Sequence, residues 1–149
     1  MSEETAQESS FSVQRIYLKD ASFEAPNSPM VFKQEWRPEI SVDLRDSSRH
    51  LEGNLYDVVL TITVSAKIGA TQAFLVEVHQ GGIFALSEFS PDQLKFLLGS
   101  MCLNIIYPFA RETISDIIVR GGFPQLLLAP VNFEALYLQR QKQNTEALV

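Results

Sequence analysis

At 149 residues, with 46% apolar and 20% charged side chains, the chain has the length of one domain and the composition of a soluble globular one. Its net charge of −6 argues against a general nucleic-acid or anionic-membrane binder, either of which needs a cationic face. One Cys allows no intrachain disulfide or cysteine-based metal cluster, and no run of 18 apolar residues offers a membrane span.

Residues 1–10 are polar and acidic, without apolar period, which predicts a disordered segment and lacks the basic start and apolar run of a signal peptide. The cytosol is therefore the expected location. Residues 11–23 read as a strand: Phe11, Val13 and Tyr17 share one parity and Ile16 and Leu18 the other, which Asp20, Ser22 and Glu24 continue as a polar strip. Two prolines make 25–29 a loop, and Met30, Val31, Phe32 and Trp36 follow in an ordered loop rich in large apolar groups. Ile40, Val42 and Leu44 alternate with polar residues as a short strand, and a polar stretch over 46–54 ends in a Gly53-Asn54 turn.

The clearest signal runs from Tyr56 to Ile68, a period of two over 13 residues with many β-branched side chains. Gly69 breaks it, and residues 73–80 resume it with Phe74, Val76 and Val78 on one face and Leu75, Glu77 and His79 on the other. The short gap predicts an antiparallel hairpin, and Gly81-Gly82 an ensuing bend. Ser90-Pro91-Asp92-Gln93 carries a helix N-cap, a proline at the first helical position and a capping-box Gln.

Gly99 interrupts that helix. Asn104 is read as the cap of a second one, with Pro108 in its first turn and Gly121 as its stop. Its apolar residues cover too much circumference for one buried side, so Ile105, Ile106, Phe109, Ile114 and Ile117 are candidates for a subunit interface. Residues 121–131 are apolar but bracketed by prolines and read as an extended crossover. Asn132 caps a last helix, with Val131 and Leu136 at staple positions, and a flexible tail continues from 141. The expected layout is a disordered 1–10, one domain over 11–140 and a tail over 141–149.

Nothing in the chain is arranged for catalysis. His50 and His79 lack a metal-ligand partner at the right spacing, Cys102 lies in an apolar helix without a nearby base, and Gly81-Gly82 has neither a third glycine nor a lysine for a phosphate loop. The chain reads as a protein that binds rather than reacts, with no cofactor and no metal. All the excess negative charge falls in residues 1–90, which hold seven bases and thirteen acids. That asymmetry fits either an acidic face for a basic partner or a solvated surface. Leu75 beside Glu77 is either a small recognition patch or a lone exposed leucine.

Several segments together resemble one family. These are Arg15-Ile16-Tyr17, Ser22-Phe23-Glu24-Ala25-Pro26-Asn27, Gln80-Gly81-Gly82-Ile83-Phe84, Tyr107-Pro108 with Ala110-Arg111-Glu112, and Phe123-Pro124-Gln125-Leu126 with Leu128-Ala129-Pro130-Val131-Asn132-Phe133. Over residues 11–137 the chain resembles the SecB protein-export chaperones, the proline-bound segment ending in Asn132-Phe133 being the most specific piece. The resemblance implies an α+β fold, a four-stranded antiparallel sheet with helices packed on one side, and a homotetramer built as a dimer of dimers. It implies binding of unfolded preproteins and transfer to SecA, whose zinc-bearing C-terminal tail would dock at Asp20, Glu24, Leu75 and Glu77.

A client groove would involve Trp36, Phe123, Leu126, Leu128, Phe133, Leu136 and Tyr137. Other readings are a SecB-like chaperone for a narrow client such as an antitoxin, and an apolar small-molecule carrier. In the tail, Arg140 and Lys142 stand where the family is often acidic, so no acidic-tail contact is carried over.

Overall fold

The alternation from Tyr56 to Ile68 needs neighbours on both edges, because a strand buried on one face also has backbone groups to satisfy on each side. In the computed structural model, which describes residues 8–147, it becomes β3 (Leu55–Ile68), the third strand of a four-stranded sheet. The others are β1 (Ser10–Glu24), β2 (Glu39–His50) and β4 (Thr71–Ser87), in the order β1-β4-β3-β2 with every pair antiparallel. The β3–β4 hairpin turns at Gly69, whose φ of +58° suits a residue without a side chain.

Val58, Leu60, Ile62, Val64 and Ala66 of β3 and Phe74, Val76 and Val78 of β4 point to one face and are buried. One helix, α2 (Met101–Arg120), lies over them, and α1 (Pro91–Gly99) packs beside it toward β2. In α1 the Ser90 hydroxyl accepts from the Gln93 N–H, and the Gln93 side chain accepts from the Ser90 N–H. In α2 the residues Cys102, Leu103, Ile106, Tyr107, Ala110, Ile114 and Ile118 recur every three or four positions and are buried. A third helix, α3 (Phe133–Ala147), is capped by Asn132, whose Oδ1 accepts from the Ala135 N–H at 3.0 Å. The segment between α2 and α3 is irregular and extended, as its prolines require.

Several sequence expectations change. β4 does not bend at Gly81-Gly82 but runs through them to Ser87. The glycines serve packing: a Cβ on Gly81 would lie 2.2 Å from Cζ of Tyr17, and one on Gly82 2.7 Å from Cε2 of Phe84. β2 continues through the polar residues to His50, since an edge strand tolerates charge on its outward face. β1 changes parity, because register shifts fall between Val13 and Arg15 and between Leu18 and Asp20. Each shift inserts one unpaired residue and turns the rest of the strand to the other face. Asp20, Ser22 and Glu24 therefore do not share a face with Ile16 and Leu18.

In α2, Pro108 lies in the interior instead of the first turn, and the helix begins at Met101 after Ser100, without a side-chain cap. Pro108 and Asn104, whose carbonyl loses its helical bond there, are both on the exposed side, where water can take its place. Of the segment expected to be disordered, residues 1–7 lie outside the described residues and Ser10 already opens β1. The polar stretch from 141 continues α3 as helix to Ala147.

β1 also carries a half-buried polar link on the side of the sheet that the described helices leave open. Tyr17 lies over Gly81 on that face, and its hydroxyl donates to Oδ1 of Asp57 at 2.5 Å. Asp57 is only 6% exposed, and Arg49 Nε stands 3.9 Å from its other oxygen. Burial, then the hydrogen bond to the Asp57 carboxylate and its charge, pushes the Tyr17 phenol up to about 12, with Arg49 opposing. A phenol that ionises later in the folded chain than in the unfolded one stabilises the fold below its ordinary pKa and stops doing so as pH climbs to the folded value. Between about pH 10 and pH 12, melting temperature should fall more steeply for the native chain than for Tyr17→Phe. Parallel slopes would show that this bond adds nothing.

Candidate functional site

The sheet has a second face that no described helix covers. Register decides what it presents. Asp20 pairs with His79, Ser22 with Glu77 and Glu24 with Leu75 across β1 and β4. On the other flank of β4, His79 pairs with Thr61, Glu77 with Thr63 and Leu75 with Ser65. Because opposed residues point to the same side, Asp20, Glu24, Leu75 and Glu77 are brought together on this outer face, in three successive rows.

Glu77 is oriented rather than free, since Thr63 Oγ1 donates to its Oε1 at 3.0 Å. Leu75 is 36% exposed, an apolar contact among hydroxyls and carboxylates. Asp43 and Arg45 of β2 extend two of the rows and pair with each other at 2.9 Å. Negative charge therefore dominates at the β1–β4 side of the face. Sequence reading missed Thr63, and it placed His79 on this face without giving it a role; both touch Glu77.

The seven groove candidates on the helical side do not form one open trough in the single chain. Trp36 is half-buried and stacks on Phe74 with centroids 6.3 Å apart, and its ring lies 5.5 Å from that of Phe123. Phe123 itself is buried at the centre of an aromatic group that includes Phe23, Phe32 and Phe74. Leu128 and Phe133 are buried beside Tyr107, whose ring meets Phe133 edge-on at 5.6 Å and whose hydroxyl donates to the Ala129 carbonyl. Tyr137 is half-buried against Phe96 and over Gly99, and Leu126 and Leu136 are half-buried.

A cleft of about 310 Å³ beside Tyr137 is lined by Asp46, Ser48, Lys95, Leu98 and Arg140, so it is as polar as it is apolar. Exposed apolar surface lies elsewhere: Met30, Phe32 and Leu127 are 61, 49 and 72% exposed. Leu127 points out because 126 and 128 point in, the period of an extended segment. Burial also divides the interface candidates. Ile106 and Ile114 are fully buried within this chain's own core, whereas Phe109 is exposed and Ile105 and Ile117 are half-buried. A partner can reach only the latter three, together with Met101 and Val119.

No group of three His, Cys, Asp or Glu side chains among the described residues is placed to hold a metal ion. No described helix is long and apolar enough to cross a membrane. Burial pushes the Cys102 thiol up to about 12, which removes its thiolate at neutral pH.

Residues 4–144 match the family model described as preprotein translocase subunit SecB. A protein-export protein SecB of Nitrosococcus oceani is 52% identical over 146 residues, covering 97% of this chain and 89% of that protein. Among solved structures, the Mycobacterium tuberculosis Rv1957 SecB-like chaperone, in complex with a ChAD peptide from the Rv1956 HigA1 antitoxin, has the same fold. The TM-score is 0.69 at 12% identity, over 81% of this chain and 90% of that one.

Proposed function

The chain belongs to the SecB family and is a protein-export chaperone, and we propose that it holds unfolded presecretory proteins in the cytosol and passes them to the SecA motor. The observation that carries the transfer step is the β1–β4 register, which gathers Asp20, Glu24, Leu75 and Glu77 on the helix-free face. A basic, zinc-bearing tail on SecA fits that face: carboxylates steer it and Leu75 offers a central apolar anchor. Clients bind on the other side, at apolar surface around Trp36, Phe32 and Leu127, where burial of exposed chain is non-directional. An antitoxin-type client suits the fold, but it gives the acidic face no task. An apolar carrier would need a closed pocket with convergent polar groups, and the clefts of this chain are open and mixed in polarity.

Selectivity for non-native chain tests the reading. An unfolded preprotein should bind at least about a hundredfold more tightly than its compact folded form, since folding hides the apolar area on which binding draws. Equal affinities by calorimetry would refute it.

The assembly is a homotetramer, a dimer of dimers. β1 spans 15 residues at the edge of the sheet, and no described residue pairs with its outer side. Long unpaired edges recruit a second strand. Met101, Phe109 and Val119 leave α2 apolar on the side away from the sheet, for a second contact. Light scattering should give about four times the 16.8 kDa chain mass; a stable monomer at micromolar concentration would contradict it.

A further inference from the structure

His79 stands in the end row of the proposed docking face, the row of Asp20, next to the central row of Glu77. It lies directly opposite Asp20 of β1 on one side and Thr61 of β3 on the other, with Arg45 of β2 one strand further along the row. Its Nδ1 is 3.0 Å from Thr61 Oγ1, and its Nε2 is 3.5 Å from Oε2 of Glu77. Thr61 thus holds one ring nitrogen while the other is turned toward a docking carboxylate. The imidazole is 31% exposed and the Glu77 side chain 42%, so one partner segment can meet both.

The charged groups facing this ring are Asp20 from β1, Glu77 from β4 and, beyond Thr61 and Thr63, Arg45 and Asp43 from β2, which pair with each other; β3 contributes hydroxyls alone in these rows. Imidazoles change charge within the physiological range, whereas carboxylates and guanidinium groups keep theirs. A neutral ring shares one proton with the Thr61 hydroxyl at Nδ1, in the direction its tautomer sets, and leaves the carboxylate charges to an incoming cation. A protonated ring donates from both nitrogens, with Thr61 now accepting. It then sets a positive charge against Glu77 and directly across from Asp20. Two of the three docking carboxylates would face a cation of the chain itself.

We propose that His79 is a specificity-determining residue of the docking face, which admits a basic partner segment while neutral and competes with it for Glu77 and Asp20 when protonated. The inference rests on the docking reading above, and it makes partner release sensitive to acidification while client binding, on the opposite side of the sheet, is not.

The test is binding of the zinc-loaded C-terminal tail peptide of SecA to the full-length chaperone at about pH 8 and about pH 6, for the native chain, H79Q and H79K. The tail can itself titrate, so the readout is the difference between proteins measured with the same peptide. Native affinity should fall about fivefold more than that of H79Q on acidification, the size of one exposed charge interaction. H79K should already be weakened about fivefold at the higher pH and should show no extra fall. Binding of an unfolded preprotein in the same samples reports folding of each variant. Equal pH profiles for the native chain and H79Q overturn the role of His79 and leave the docking face standing. Failure of the tail to bind the native chain at either pH overturns the docking reading and this inference together.

Discussion

Phe74→Ala should destabilise the folded chain by about 4 kcal/mol, the middle of the range for removing a buried aromatic ring. Phe74 is fully buried on β4, and its ring is surrounded by those of Phe123, Phe23 and Trp36 at centroid distances of 5.1, 6.1 and 6.3 Å. These neighbours come from three different parts of the chain: β1, the loop before β2 and the crossover after α2. None can collapse into the space without dragging its own backbone along, so the cavity stays. Phe32, at 49% exposure, touches the same cluster from outside. Phe32→Ala should therefore cost only about 1 kcal/mol, the worth of an aromatic contact without deep burial. Urea unfolding at one fixed chain concentration, monitored by fluorescence of the single Trp36, gives both values. Equal midpoints for the two variants would place the cluster outside the cooperative core.

That cluster also marks where sequence reading stops. The strands were legible because their signal is local: alternation from Tyr56 to Ile68 needs no knowledge of partners, and Ser90 to Gln93 announce a helix start by their own side chains. Glycines were misleading because their reasons are tertiary. Gly81 makes room for Tyr17, more than sixty residues away in sequence, and nothing near it says so. The shifts in β1 are likewise invisible locally, since an extra residue exists only relative to a paired strand. The acidic face was legible as two separate parities, one in each strand, and the register joined them. The groove was less legible: hydrophobicity names Phe123, Leu128 and Phe133 as apolar, but burial against Tyr107 and Phe74 decides that they close the core.

Glu77→Lys should abolish most of the affinity for the SecA tail, a fall of at least about thirtyfold, because it combines loss and repulsion. Glu77 sits in the central of the three rows, between the row of Asp20 and that of Glu24 with Leu75. A Lys there removes an attraction and adds a like charge at the point a basic segment must cross, and repulsive juxtapositions weigh heavily in specificity. It also loses the bond from Thr63 that fixes the carboxylate's direction. Asp20→Ala removes one charge from the rim of the exposed β1 side and should cost about fivefold, mainly through slower association. Raised salt should shrink the Asp20 effect further, because exposed charges are screened beyond about 8–10 Å. Leu75→Ala, which touches the anchor and no charge, should instead speed dissociation and stay largely insensitive to salt. Both charge variants should bind an unfolded preprotein as the native chain does, since the client surface proposed above is across the sheet from these residues. Surface plasmon resonance with the tail peptide at two salt concentrations separates these rates. Intact tail affinity for Glu77→Lys at low salt would show that the helix-free face is not where SecA docks.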